Sequence, residues 1–326
     1  MRVSVDVSPL VQTRAGTARY LNGLLRELRR HDEVEVSARA FGGDDRFSNL
    51  VRDGVWYPFL LGRDSDADVL HCPTYRGPVR SRVPLVVTVH DLAVLRHPEA
   101  FNRWSRLYGP RVVPRVLQTA SRVIAVSRFT RRELIELLQV PEERIRVIPN
   151  AVEDTFTQDG PAESGEYVLA VGTLEPRKNL DRLVEAVGRT HTELRIVGAR
   201  GWGGIAVGGN GVRWLGEVSD AELARLYRGA ACVAYPSLYE GFGIPVLEAM
   251  ACGVPVVTTR GTAMEEVANG AAVLVDARDP AEIADGIARA VADRNALVAR
   301  GLERVRAFRW DAVAAATVEV YREAAA

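Results

Sequence analysis

Residues 153–171 read EDTFTQDGPAESGEYVLAV, and the break inside this stretch decides how the chain divides. Glu153–Gly165 is polar, carries Gly and Pro and has no periodicity, as a linker does. A set of apolar segments follows at once: YVLAVG, LRIVG, VRWL, ACVAY, VPVVT and AAVLV, each separated from the next by a helical pattern. The same alternation precedes the linker. Val3, Val5 and Val7 predict a strand over 2–7, and further apolar strands are expected near 34–41, 69–72, 85–89 and 122–126. Leu21, Leu24, Leu25 and Leu28 stand at i, i+3, i+4 and i+7, one face of a helix.

Strands that alternate with helices predict parallel sheets covered on both faces. The chain therefore reads as two doubly wound α/β halves facing across a cleft, with ligands expected beyond the carboxyl ends of the strands. The expected domains are 1–158 and 159–309. Val313, Ala316, Val320 and Tyr321 share one face of a last helix over 310–326. No strand follows it, so it is expected to return to the first half. The 153–165 linker, together with Phe308–Asp311, is the expected hinge.

Composition excludes several classes. A chain of 326 residues with 47% apolar and 26% charged residues is ordinary for a soluble protein of about two domains. Forty-two basic residues balance 42 acidic ones, which argues against a nucleic-acid partner. Cys72, Cys232 and Cys252 form no C-x-x-C pair, so buried, reduced thiols are expected. The start, MRVSVDVSPL, does not resemble a signal peptide, and a cytoplasmic protein is expected. The 42 basic residues are 41 Arg and a single Lys, Lys178. An ammonium and a guanidinium are not interchangeable at a phosphate or a sugar oxygen, so this one Lys is a functional candidate.

Familiar cofactor motifs are missing. No G-x-x-x-x-G-K-[ST], no G-x-G-x-x-G after the first strand and no H-E-x-x-H occurs, and the five histidines, at 31, 71, 90, 97 and 191, show no metal spacing. Asp64, Asp66 and Asp68 lack the Gly and Glu of a calcium loop, with Val69 and Tyr75 in those places, and read as a solvated turn. No metal site and no cofactor are expected.

The strongest signal is SLYEGFGIPVLEAMACGVPVV at 237–257. Gly241 and Gly243 let backbone come close to a ligand, and Pro245 suits the first turn of a helix whose free N–H groups favour an anion. Glu240 sits at the loop mouth and Glu248 is expected two turns into the helix on roughly the same face. Two carboxylates flanking a phosphate cradle fit a sugar nucleotide.

The segment E-G-F-G-I-P-V-L-E resembles the E-x7-E motif of the retaining glycosyltransferases of family four, whose fold is GT-B. VGTLEPRKNLDRLVEA at 171–186 is similar to that family's pyrophosphate loop and its helix. AVSRFTRREL, VPEERIRVIPNAV and VHD at 89–91 resemble the family's first domain. The resemblance covers essentially the whole chain. It implies transfer of a hexose from a nucleotide diphosphate sugar to a hydroxyl, with retention, without metal, by front-side attack through an oxocarbenium-like ion pair. By resemblance Arg177 and Lys178 hold the donor diphosphate, Glu240 the donor sugar and Glu248 the ribose. Gly243 and Ile244 offer backbone N–H groups. Gly16 and Thr17, in the loop after the first strand, touch the donor phosphates. His90 faces the donor sugar, and Asp91 reads equally as a helix cap. Glu217 and Val218 stand beside the base, where Ser219 and Glu222 also spell a capping box. Gly198–Gly204 is a Gly-rich loop that either closes on the donor or turns the chain. One departure stands out: many members carry Arg where this chain has Thr173, and Arg177 is the candidate substitute.

The TLEPRKN loop leans toward the mannosyltransferase-like branch, so GDP-mannose is the first donor candidate and a UDP-sugar the second. The acceptor is a glycan, a lipid-linked or a small-molecule hydroxyl, in polysaccharide or glycoconjugate synthesis. Arg103–Arg132 holds eight arginines and no acid, with Trp104, Tyr108 and Phe129 among them. Such a stretch suits an anionic membrane surface at the inner face, an anionic acceptor, or plain solvation. The first 160 residues hold 24 basic and 20 acidic residues, which is modestly basic. Another GT-B enzyme, such as an epimerase or a phosphorylase, and a non-catalytic sugar-nucleotide-binding subunit remain the alternatives.

Overall fold

Parallel strands buried on both faces account for the long apolar runs. A computed structural model describes residues 1–12, 16–63, 66–101, 103–190, 192–201 and 211–326. Asp64, His191 and residues 202–204 of the Gly-rich loop lie outside them. The chain forms two units: Met1–Ala151 with Arg309–Ala326, and Val152–Phe308.

The first unit holds β1 (Arg2–Asp6), β2 (Glu35–Arg39), β3 (Val69–Cys72), β4 (Leu85–Val89), β5 (Arg122–Ala125) and β6 (Ile145–Val147). They pair in the order β2-β1-β3-β4-β5-β6, all parallel, with Val3 beside Val69 and Val87 beside Val123. The second unit holds β7 (Tyr167–Val171), β8 (Glu193–Val197), β9 (Val212–Gly216), β10 (Cys232–Tyr235), β11 (Val256–Thr259) and β12 (Val273–Val275), in the parallel order β12-β11-β10-β7-β8-β9. Counted from β7, that is the doubly wound order 3-2-1-4-5-6, and the direction of winding reverses between β7 and β10. β3 and β4 are buried along their whole length and are apolar apart from His71 and Thr88. β6, three residues long, was not among the expected strands.

The last helix, Trp310–Ala325, does pack on the first unit. Val313, Ala314, Val318 and Tyr321 join one core with Val3, Val5, Leu21 and Leu24. Its polar anchor is also buried. The Tyr321 hydroxyl lies 2.7 Å from His71 Nδ1, and His71 Nε2 lies 2.9 Å from Thr88 Oγ1, which the Tyr20 hydroxyl meets at 3.2 Å. Burial pushes the His71 ring down to about 3, so it serves as a neutral connector.

Two expectations are corrected. The chain leaves the first unit at Ala151–Val152, not near 158, and returns at Phe308–Arg309. The polar segment 153–165 is no free hinge. Phe156 is buried against the Tyr227 ring, Arg228 donates to the carbonyls of Pro161 (2.7 Å) and Thr157 (3.2 Å), and Glu163 pairs with Arg225 at 2.6 Å. A polar, aperiodic composition marks a segment without regular structure, but its side chains find partners in the second unit. All three cysteines are free and buried.

The helix Gly16–Leu28 meets the last helix at Gly23. A Cβ there would stand 2.3 Å from Trp310 Cε2. Gly23→Val is expected to lower unfolding stability by about 1–3 kcal/mol through overpacking, read from denaturant midpoints at unchanged slope.

Candidate active site

The carboxyl ends of β7 and β10 flank the point where the second sheet reverses its winding, which is where such sheets bind ligands. The loop after β7 begins at Gly172, whose φ of +147° suits glycine, and turns through Pro176–Lys178 into the helix Leu180–Gly188. Asn179 fixes the turn. It takes a left-handed backbone (φ 59°), and its buried amide donates to the carbonyls of Pro236 (3.1 Å) and Ala277 (2.6 Å). Arg177 and Lys178 are thereby held against the loop that follows β10.

That loop supplies Glu240, and the three side chains form one closed set. Lys178 Nζ donates to Glu240 Oε1 at 2.7 Å, and Arg177 Nη1 donates to Glu240 Oε2 at 2.6 Å. Arg177 also reaches Glu175 (2.5 Å) and the Tyr239 carbonyl (3.0 Å). The Tyr235 hydroxyl accepts from Lys178 at 2.6 Å and donates to Glu240 Oε1 at 2.9 Å. Burial would raise the Glu240 carboxyl, but the Arg177 and Lys178 charges overcome it and hold the group near 2. Burial also pushes the Lys178 ammonium down, with Glu240 opposing. Two cations and two carboxylates leave this set formally neutral.

Past Glu240 the chain enters the helix Ile244–Ala251 through Gly243, whose φ of +99° is left-handed and whose added Cβ would stand 2.8 Å from Met264 Cγ. No side chain caps this helix start, and Pro245 occupies its first turn. Gly243 holds the cap position and Ile244 is the first helical residue. Because the helix begins only at Ile244, Glu248 is one turn in rather than two. It is 1% exposed and its Oε2 accepts from the Tyr227 hydroxyl at 2.9 Å.

The remaining candidates are placed as follows. Glu217 is exposed and Val218 half-buried in the turn after β9. Ser219 caps the next helix by accepting from Glu222 N at 3.2 Å, while the Glu222 carboxylate pairs with Arg225 instead of completing a capping box. Thr173, where the family often has Arg, packs its methyl against Gly201. The Gly-rich loop packs closely at its described end: a Cβ on Gly198 would strike the Gly172 carbonyl at 2.0 Å. In the first unit, Gly16 and Thr17 form the first turn of a helix rather than a loop. His90 follows β4; its Nε2 lies 3.0 Å from the Pro73 carbonyl, and the Tyr20 ring meets it edge-on at 4.7 Å. Burial pushes the His90 ring down to about 4, against the pull of Asp91. Asp91 accepts from Ala93 N at 2.9 Å just ahead of the short helix Ala93–Arg96, whose cap position is Leu92, so it is not the cap itself. Asp68 accepts from Arg2 N at 2.7 Å, and among the described residues no group of three metal-ligating side chains occurs.

Tyr235, Glu175 and Asn179 were missed from the sequence. Tyr235 ends a strand at the winding switch, and a polar residue there was the available signal.

Residues 165–293 match the glycosyl transferases group 1, and residues 14–156 match glycosyltransferase family 4. The O-antigen chain mannosyltransferase B of Escherichia coli is 32% identical over 80% of this chain and 75% of its own length. This chain belongs to the group 1 glycosyltransferases of family four. Another relative of this glycosyltransferase, the D-inositol 3-phosphate glycosyltransferase of Frankia alni, is 31% identical over 98% of both chains. Its GT-B fold is shared with sucrose-phosphate synthase from Thermosynechococcus elongatus, at a TM-score of 0.76 and 20% identity over 99% of this chain and 98% of that one. The Anabaena protein HepE, solved in complex with UDP and glucose, gives a TM-score of 0.75 at 18% identity over 98% of each.

Glu240→Gln in this glycosyltransferase leaves two nearly buried cations without their shared counter-charge. It is expected to cost about 3 kcal/mol of stability at neutral pH. The folded carboxyl titrates below its ordinary 4.5, so its contribution is complete above pH 4.5 and is lost as pH falls toward 2. Paired denaturant curves of the two proteins from pH 7 to 3 should converge toward the acid end.

Proposed function

We propose that this glycosyltransferase moves a hexose, with retention and without a metal ion, from a nucleotide diphosphate sugar to a hydroxyl acceptor. The observation that carries the reading is the Glu240 carboxylate shared between Arg177 and Lys178 beside the uncapped helix start at Gly243. A diphosphate placed there meets two cations and free backbone N–H groups. Charge then builds on the leaving group as the anomeric carbon–oxygen bond breaks, and these groups are already oriented to stabilise it. Glu240 takes donor-sugar hydroxyls as the cations turn to phosphate, and Glu248 takes the ribose. Gly243 and Ile244 supply backbone N–H groups. His90 is assigned to the donor sugar, Gly16 and Thr17 to its phosphates and Glu217 and Val218 to the base, all on the family resemblance.

Front-side attack fits the chemistry of Glu240. A carboxylate held near 2 is a poor proton donor, and both its oxygens are engaged by cations, which blunts it as a nucleophile. The bond from the anomeric carbon to the acceptor oxygen forms as the bond to the leaving phosphate breaks. The acceptor proton passes to a leaving phosphate oxygen. The protein's work is orientation and electrostatics. Mannose carried as GDP-mannose stands first, supported by relatives named as mannosyltransferases; a UDP-linked hexose stands second.

Lys178→Ala is expected to lower transfer by about 10²–10³-fold while leaving the fold intact, because Arg177 still pairs Glu240. Turnover of GDP-mannose and UDP-hexoses by the purified protein, with circular dichroism as the folding check, reads both; wild-type turnover by the variant would remove Lys178 from the site. EDTA is expected to leave transfer unchanged. Loss under EDTA with recovery on added magnesium or manganese would overturn the metal-free route.

A further inference from the structure

Residues 46–63 form a helical rod that buries two charged side chains beside Tyr57 and Leu61 and shows a run of apolar side chains to solvent. It runs from Arg46–Val51, through π-helical turns over Arg52–Leu60, to Arg63. The charged residues Arg52 and Asp53 face inward. Arg52 is fully buried and donates to the Phe41 carbonyl and Asn49 at 2.8 Å each, and to the Gly43 carbonyl. Asp53 accepts from Trp104 Nε1 at 3.0 Å. The outward face is apolar: Phe47 is 75% exposed, Leu50 54%, Val55 45% and Phe59 58%. The Trp104–Asp53 bond places the helix Arg103–Thr119 beside the rod, and that helix shows solvent Leu107 with Arg103, Arg106 and Arg111. Arg63 is exposed at the rod's end, near Asp66 and Asp68, and Asp44 and Asp45 lie at the opposite end.

We propose that this surface docks on an anionic phospholipid membrane, with Phe47, Leu50 and Phe59 entering the lipid interface and the arginines of the neighbouring helix meeting headgroup phosphates. Large apolar side chains rarely form an exposed run without a partner. Charge selects the partner. A second copy of this chain packed on the same face would bring arginine against arginine, whereas an anionic bilayer offers counter-charge and an apolar interior together. The inference does not depend on the donor reading, and its test uses no donor.

Flotation of the full-length protein with vesicles of phosphatidylglycerol and phosphatidylcholine, against phosphatidylcholine alone, tests it. The wild type is expected to float with the anionic vesicles. Phe47→Ser/Phe59→Ser is expected to lower the partition coefficient by about tenfold or more. Arg106→Gln/Arg111→Gln is expected to lose about fivefold per charge on anionic vesicles only. Both variants alter exposed residues, so melting temperatures should match the wild type; should the serine pair fail to fold, the arginine pair still decides. Wild-type protein that stays unbound, variants that bind as the wild type does, or a wild-type dimer that the serine pair dissociates would each overturn the proposal.

Discussion

The second unit is organised around a carboxylate that cannot be left alone. Glu240 is nearly buried, and so are the two cations that share it. Two like charges brought this close out of bulk water repel strongly, and each pays a desolvation cost. A carboxylate with one oxygen for each cation removes both penalties, but only if three backbone segments are positioned within a fraction of an ångström. Asn179 in its left-handed turn, Gly172 and Gly243 at positive φ, and the close packing of Gly198 on the Gly172 carbonyl are the means of that positioning.

The doubly wound order explains why these segments meet at all. β7 and β10 are far apart in sequence yet adjacent in the sheet, and the helices that follow them leave toward opposite faces at a winding reversal. The loops after the two strands must therefore part, and the gap is lined by whatever residues end the strands. Here those are Tyr235, the PRK turn and the E-G-F-G segment. Apart from Tyr235 at the end of β10, the strands of this sheet lend no side chain to the Glu240 set, and their apolar faces make the sheet rigid.

Much of this was legible in the sequence because it rests on periodicity and on residues with restricted chemistry. Alternating Val and Leu marked the strands, and a lone Lys beside Arg in a Gly-to-helix turn marked the cations that share Glu240. Three things were not legible. The length of the loop before Ile244 depends on Gly243 taking φ +99°, and this moved Glu248 from two turns into the helix to one. The 153–165 segment looked free because composition says nothing about the partners that Arg225 and Arg228 supply. The rod at 46–63 shows the sharpest limit: no element was read there, and only the fold tells which of its apolar side chains look outward. There Arg52 and Asp53 find buried partners beside Tyr57 and Leu61, and Phe47, Leu50 and Phe59 are left outside.

The neutrality of the Glu240 set bears on selectivity under the proposed reading. A free phosphate offered to Arg177 and Lys178 must compete with Glu240 for them. Success would leave a nearly buried carboxylate with only the Tyr235 hydroxyl for company, at the cost of breaking a buried pair. A sugar alone offers hydroxyls to Glu240 but no charge to the cations. A ligand that carries a diphosphate and a sugar a few ångströms apart satisfies both sides at once. The ion set thus penalises each half of such a donor on its own and accepts the whole, which gives specificity by unpaired charge rather than by shape.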